Sequence, residues 1–344
     1  MAIDRDTFGT DELAICLSHY DVGVISSIQE FARGSRRAPK VIIDAERGRF
    51  LFKRRAKGRD DSAKVAFTHQ IQLSLAAQNF PLPHLLGTRR ENNSMLLLGD
   101  QIYEMFEYIE GGNYDGSVES TYHAGHILGL YHKLLAGFQS SYTPPAGSYH
   151  NSRAIQQAIG NTIRTLTVNG RPSGEELEKN IQSLDDAYTR CAKEVNGLGI
   201  NEWGKQIVHG DWHPGNMLFR DRKVVAVIDY DAARLQQRVI DLANGALQFS
   251  IIGGGEDPQA WPANIDMRRF REFVRGYDSV NIVSVAEVRC VPYLMCEAMI
   301  AEAVLPIAAT GSFGRLDGYP FLQMIQKKVK WVFDNIDGLY KEMG

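Results

Sequence analysis

The stretch His209-Gly210-Asp211-Trp212-His213-Pro214-Gly215-Asn216 sets an acid, two imidazoles and an amide in one short loop that Pro214 stiffens and Gly215 turns. Asp211 and Asn216 stand five residues apart, an interval that lets both side chains converge on one point. Just downstream, Val224-Val225-Ala226-Val227-Ile228 reads as a strand. It delivers Asp229 at its C-terminal end, with Asp231 two residues on. Carboxylate and amide oxygens are the hard donors that Mg²⁺ accepts. Phosphoryl transfer asks for little more: the phosphates held, the cation placed, and a carboxylate to orient or deprotonate the acceptor. Asp211 or Asp229 taken singly would more often be a solvated turn carboxylate, so the information lies in the ordered set.

The 344 residues are 44% hydrophobic and 23% charged, enough for a large core in one bilobal domain or two domains. With a net charge of -3 and a pI near 6.3, the global balance gives no reason to expect nucleic acid or an anionic membrane as partner. Cys16, Cys191, Cys290 and Cys296 have neither metal-ligand spacing nor the density of a disulfide scaffold, so reduced thiols are expected. The segment Met1 to Glu12 is charged and lacks the apolar centre of a secretory signal. No run is read as approaching the roughly 18 apolar residues of a membrane helix. A cytoplasmic protein is the expectation.

Upstream of the loop, Val24 to Ala32, Lys40 to Asp44 and Arg49 to Arg54 read as three strands of a meander, punctuated by Arg33-Gly34-Ser35 and Glu46-Arg47-Gly48. Val65, Phe67, Ile71 and Leu75 recur at helical spacing between Ser62 and Gln78. Two more strands are expected around Ser94 to Leu98 and Ile102 to Tyr108, separated by Gly99-Asp100. The chain then turns helical. Helices are predicted over Thr121 to Phe138 and over Gly174 to Val195 behind a capping box of Ser173 and Glu176; from about 266 helical stretches alternate with breakers, notably Ala298 to Ala309, and Tyr293 to Ala303 reads as an apolar helix.

His209-Gly210-Asp211-x-His213-Pro214-x-Asn216, with Ile228-Asp229-Tyr230-Asp231 and Asp241-Leu242-Ala243 after it, resembles the aminoglycoside phosphotransferase and choline kinase superfamily. The interval from Asp211 to Asn216 is also that of the protein-kinase catalytic loop. The resemblance implies an α+β, bilobal, protein-kinase-like fold. Residues 1–110 would form a small antiparallel β-sheet lobe with one main helix that binds nucleotide, and 111–344 a larger, mainly helical lobe for catalysis and acceptor. It implies ATP and Mg²⁺ as cofactors, Asp211 as catalytic base, Asn216 and Asp229 as metal ligands, and Asp241 as a brace of the loop. His209 and His213 read as structural supports. His132, in Ala124-Gly125-His126-Ile127-Leu128-Gly129-Leu130-Tyr131-His132, resembles the family's buried histidine beneath the loop.

Lys53 resembles the family's phosphate-binding lysine. Strand alternation puts it on one face with Arg55 and puts Arg54 on the other. Gly34 and Ser35 lie where the family covers the phosphates, although a single glycine makes a poor glycine-rich loop. Glu107, Tyr108 and Ile109 fall at the hinge, where main chain would meet adenine. One departure stands out: kinases pair the strand lysine with a Glu on the next helix, and Ser62 to Gln78 contains no acid. Gln70, Gln72 and His69 are the available substitutes.

The acceptor is expected to be a small polar molecule bearing a hydroxyl, of homoserine, sugar, amino-sugar or amino-alcohol type. Asp231 is either a surface residue or an auxiliary metal or substrate contact. Glu297 and Glu302, five residues apart and therefore on different helix faces, are further substrate candidates beside their bland surface or helix-pairing readings. A silent, nucleotide-sensing kinase relative and an antibiotic-inactivating phosphotransferase are the alternatives.

Overall fold

The computed structural model describes residues 5–168 and 174–343. Its first part holds α1 (Thr10–Leu17), β1 (Ile25–Glu30), β2 (Lys40–Ala45), β3 (Gly48–Arg54), α2 (Ser62–Ala76), β4 (Leu96–Leu98) and β5 (Gln101–Glu107). The strands form one antiparallel sheet in the order β1-β2-β3-β5-β4. Alternation gives this sheet two different faces. Phe50, Phe52, Tyr103 and Met105 point towards α1 and build a small core with Cys16, Leu17 and Tyr20. Arg54, on that same face, reaches Glu12 of α1 at 2.6 Å. The opposite face carries Lys53 and Glu104, which the register sets directly across from each other.

α2 lies against that second face and joins it to the rest of the molecule. Val65 packs with Met95 and Ile102 of the sheet lobe. Phe67, Ile71 and Leu75 belong to the large core of the helical lobe, with Phe80, Leu128 and Tyr131. Its first turn is capped by Asp61, whose carboxylate accepts from Lys64 N at 3.0 Å.

The helical lobe follows: α3 (Val118–Leu134), α4 (Arg153–Val168), α5 (Glu175–Gly197), the short strands β6 (Gln206–Val208), β7 (Met217–Arg220), β8 (Lys223–Val227) and β9 (Arg234–Gln236), then α6 (Arg238–Ser250), α7 (Met267–Asp278), α8 (Val285–Thr310), β10 (Ser312–Phe313), β11 (Leu316–Asp317), α9 (Gly318–Asp334) and α10 (Ile336–Met343). β6 pairs with β9 and β7 with β8, so two antiparallel ribbons hold the loop at 209–216 between them. α3 begins at Val118, earlier than its periodicity suggests, because Ser117 caps it by accepting from Ser120 N. α1, α4 and α6 are additional to the helices read from the sequence. For α5, Ser173 of the expected capping box lies outside the described residues, and Gly174 is the N-cap.

The expectation that no segment is long and apolar enough to cross a membrane fails at α8. It is 26 residues long, and its most apolar stretch of 18 has a mean hydropathy of 1.5, so it passes that test by length and composition. The helix begins at Val285, earlier than the stretch read from the sequence, and runs on through both Pro292 and Pro306. Since 78% of the apolar window is buried inside the fold, α8 is a core helix, enclosed by α4, α5, α6 and α9.

α3 and α7 cross closely through glycine. A Cβ on Gly125 would lie 1.9 Å from Phe273 O, and one on Gly276 would lie 2.0 Å from Tyr122 O. Both obstacles are backbone, so neither can turn aside. This crossing also brings His132 of α3 to Tyr277 of α7. Gly276→Ala should therefore lower stability by about 1–3 kcal/mol, the usual range for overpacking; urea unfolding followed by circular dichroism measures it, and an unchanged midpoint would contradict the close crossing.

Candidate active site

The loop between β6 and β7 is anchored from beneath. Asp241, 1% exposed, accepts from the backbone N–H of His209 through Oδ2 and from that of Gly210 through Oδ1, both at 3.0 Å. Its Oδ2 also meets His132 Nε2 at 3.2 Å, while His132 Nδ1 lies 2.8 Å from Tyr277 Oη. A carboxylate can only accept, so His132 carries its proton on Nε2 and receives the tyrosine hydroxyl on Nδ1. Gly210 has φ +77°, and a Cβ there would stand 2.4 Å from Ala232 O, so both conformation and space require glycine. His209 is fully buried against Trp212 and Tyr230, with Nε2 3.3 Å from Ile228 O. Burial holds it below its ordinary pKa despite the nearby charges of Asp241, Asp211 and Asp229, so it stays neutral.

Above this floor the donors gather. Asn216 Nδ2 donates to Asp211 Oδ2 and to Asp211 O, each at 3.0 Å, which turns the amide oxygen of Asn216 away from Asp211. Ile228 N donates to Asn216 O at 2.9 Å and brings Asp229, the next residue, alongside. Asp229 has φ 62° and ψ 72°, a left-handed conformation few residues other than glycine adopt. Strain of this kind survives where surrounding structure imposes it, and it gathers at functional sites. Burial raises the pKa of Asp211, but hydrogen bonds and charge from His213, with help from His209 and Asn216, outweigh it and hold the carboxyl below its usual value. His213 moves up in turn, chiefly through its bond to Asp211; its Nε2 lies 3.5 Å from Asp211 Oδ2, and its Nδ1 accepts from Gly215 N at 3.0 Å. Among the described residues no group of three or more His, Cys, Asp or Glu could hold a metal by itself. Asn216 and Asp229 supply two hard oxygens, which fits Mg²⁺, since that cation completes its shell with phosphate oxygens and water.

The sheet lobe answers the question of the absent helix acid with a strand acid. Lys53 Nζ lies 3.4 Å from Oε2 of Glu104, the fully buried residue opposite it on β5. Arg55 grips the same carboxylate twice, Nε to Oε2 at 2.8 Å and Nη2 to Oε1 at 2.9 Å. His69 of α2 completes the set, with Nε2 2.7 Å from Glu104 Oε1 and Nδ1 2.8 Å from Ser94 Oγ. Burial would push Glu104 up, yet Lys53, His69 and Arg55 together hold it well below the carboxylate range. Of the substitutes read from the sequence, only His69 takes part. Gln70 bonds Ser140 and Ser141, and Gln72 returns to Thr68 O. Asp231 is exposed at the surface and pairs through Oδ1 with Arg55 Nη1 at 2.9 Å.

In the loop at 33–39, Gly34 has φ +76° and Ser35 Oγ accepts from Arg37 N at 3.3 Å. Lys40, cross-strand neighbour of Lys53, donates to Arg33 O at 3.2 Å; burial and the charge of Lys53 lower its pKa, and Asp229 is near enough to oppose them. It is a second cation over the site that the motifs did not reveal. At the hinge, Glu107 N already donates to His84 O and Tyr108 N to Arg49 O, so neither N–H is free for a base edge. Arg49 lies over the Tyr108 ring at 4.8 Å.

The two glutamates of α8 part company. Glu297 is fully buried and bound by His150 Nδ1 at 2.7 Å and Asn151 N at 3.1 Å, a structural clamp. Glu302 faces solvent and receives Gln248 Nε2 on both oxygens at 2.9 and 2.8 Å. Protein crowds it on the other sides. Desolvation, reinforced by the charge of Asp211 and opposed by Gln248 and His213, raises its pKa to about 7.

Comparison with known proteins agrees with this architecture. The homoserine kinase of Zymomonas mobilis subsp. mobilis is 24% identical over 237 residues, 68% of this chain and 68% of that protein. The microcompartment-associated aminopropanol kinase superimposes with a TM-score of 0.69 at 12% identity, over 96% of this chain and 98% of that one. The amicoumacin kinase hAmiN, in complex with AMP-PNP and Ca²⁺, gives a TM-score of 0.65 at 12% identity, over 95% and 94% of the two chains. Identities this low carry the fold alone, the protein-kinase-like pairing of a sheet lobe with a helical lobe. The model of the family described as "Phosphotransferase enzyme family" matches residues 27–281, from the sheet through the loop and its braces, and the chain belongs to that family.

Proposed function

We propose that the chain transfers the γ-phosphoryl group of Mg-ATP to a hydroxyl of a small polar acceptor, with Asp211 as the base. The observation that carries this reading is the gathering of Asp211, Asn216 and Asp229 around one loop, with Lys40, the cross-strand neighbour of Lys53, within electrostatic range of Asp229. Asn216 and Asp229 would hold Mg²⁺, which neutralises charge on the phosphates when bound. Lys53, with Lys40 behind it, would take the remaining phosphate charge. Asp211 stays ionised, so it orients the acceptor hydroxyl and receives its proton as the oxygen attacks phosphorus. The partner found for Lys53 in Glu104 answers one of the two features behind the silent, nucleotide-sensing reading, the missing helix acid; the other is the single-glycine loop at 33–39.

The acceptor is best read as a hydroxyl compound that also carries an ammonium group, as homoserine and amino alcohols do. Glu302 supports this: a carboxylate held by Gln248, within electrostatic range of Asp211 and His213, on which no Lys or Arg among the described residues forms an ion pair. The homoserine kinase likeness points the same way.

An acceptor screen following ADP release, over homoserine, amino alcohols, sugars and an aminoglycoside, tests the reading. Asp211→Ala should cost about 10²- to 10⁴-fold in turnover, the usual contribution of a positioned base, while the variant still binds Mg-ATP. Near-native turnover by Asp211→Ala would remove the central assignment. Asp229→Ala should in addition weaken Mg-ATP binding, measured by calorimetry.

The pH dependence follows from Glu302. Below about 7 its carboxyl is protonated and neutral, and it can no longer pair with an ammonium group. The KM for an amino acceptor should therefore rise as pH falls through about 7, with KM for ATP unaffected. Above about pH 7 Glu302→Gln should raise the acceptor KM roughly tenfold, the scale of one charge-assisted hydrogen bond of about 1.5 kcal/mol; below it the variant and the wild type should converge, so the variant's profile is flat. A profile that Glu302→Gln leaves unaltered would rule out this subsite.

A further inference from the structure

The guanidinium of Arg55 touches both lobes. Two of its nitrogens close a bidentate pair on Glu104 of β5, at 2.8 and 2.9 Å. The third, Nη1, meets Asp231 Oδ1 at 2.9 Å and Arg59 O at 3.3 Å. Its side chain is 6% exposed and that of Glu104 is fully buried, so solvent screens the Arg55–Glu104 half of the junction little, while the Asp231 side chain is 25% exposed. The geometry is that of a planar fork with every edge used, which only arginine provides.

Position gives the contact its meaning. Arg55 follows Lys53 by two residues on the same face of one extended segment, and both share Glu104. Asp231 follows Asp229 by two residues, in the tight 3₁₀ turn Tyr230–Ala232 that packs on α2. The phosphate-side lysine and the metal-side aspartate thus sit on opposite sides of one rigid link. The formal charges balance, with Lys53 and Arg55 against Glu104 and Asp231. The tight bonds to Glu104 belong to Arg55 and His69, and Lys53 has the long one at 3.4 Å. Charge-assisted bonds normally run to about 2.7–2.9 Å, so Lys53 is steered by Glu104 without being consumed by it.

We propose that Arg55 is a positioning residue: by clamping Glu104 of the sheet lobe to Asp231 of the helical lobe, it sets the distance between Lys53 and Asp229 at which one Mg-triphosphate can engage both. This rests on the kinase reading above. Nucleotide bound through Lys53 alone needs no fixed lobe angle, whereas Mg-nucleotide, held from both lobes at once, does. Breaking the link therefore weakens the second kind of binding selectively.

The test is calorimetric binding of ATP with and without Mg²⁺ to the full chain and to Asp231→Asn, Arg55→Lys and the double variant. Asp231→Asn leaves Glu104 paired with three cationic or hydrogen-bonding partners, so it should fold with an unchanged melting transition. It should bind Mg-ATP about tenfold more weakly while Mg²⁺-free ATP binds within twofold of wild type or more tightly. Arg55→Lys keeps the charge but cannot span both carboxylates, and should reproduce that pattern. The double variant should be no worse than either single one, the mark of a shared interaction. Mg-ATP affinity within twofold of wild type in Asp231→Asn overturns the proposal, as does equal loss with and without Mg²⁺. An impaired Asp231→Asn beside a wild-type-like Arg55→Lys overturns it too, since Asp231 would then act on the metal directly. Wild-type protein that binds no Mg-ATP overturns both this inference and the kinase reading; the other outcomes touch this inference alone.

Discussion

The buried carboxylate of Asp241 accepts two successive backbone N–H groups and a histidine, and the position of every donor in the loop above follows from it. His209 and Gly210 leave β6 at a sharp angle, which exposes two amides that no strand partner can satisfy. Each would cost about 1–3 kcal/mol if left unpaired in this interior. Asp241 satisfies both, and α6 holds it in place from Arg238 onward. His132 and Tyr277 extend the brace across α3 and α7, whose glycines permit the approach. The loop is thereby tied to three helices before any ligand arrives.

The sheet lobe solves a different problem. Lys53 must be oriented without being neutralised, and its partner must be ionised in a site from which water is largely excluded. A lone buried carboxylate would take up a proton. Arg55, His69 and Lys53 together keep Glu104 charged, and two of them occupy it more tightly than the lysine does. Placing the acid on β5 instead of α2 makes the pair a cross-strand contact, whose geometry the sheet register sets. α2 is then free to carry apolar residues into the helical lobe's core.

Much of this was legible in the sequence because its carriers are local. The meander, α2 and the alternation of Lys53 and Arg55 against Arg54 are short-range patterns, and the structure has them within a few residues of the expected bounds. The loop at 209–216 is a contiguous motif. Glu104 escaped notice because its role depends on pairing between β3 and β5, about fifty residues apart. The signal was present all the same, as one acid inside the apolar run Ile102-Tyr103-Glu104-Met105-Phe106. α8 misled in the opposite sense: its prolines and glutamates break a periodicity reading, yet a helix enclosed on nearly all sides need show no stripe.

Glu297 and Glu302 show why the acceptor side is harder to read. Helical spacing places them on different faces and says nothing of what those faces meet. Tertiary packing decides that one is a buried clamp for the loop at His150 and Asn151, and that the other stands open beside Gln248. The same chemistry of desolvation acts on both and raises both pKa values. Only the partner differs, an imidazole and a backbone amide in one case and a neutral side-chain amide in the other. An open carboxylate on which no described residue places a cation is free to pair with a cationic ligand. The loop at 209–216 lies within the part of the chain that matches its family, whereas Glu297 and Glu302 are placed by helix packing at long range.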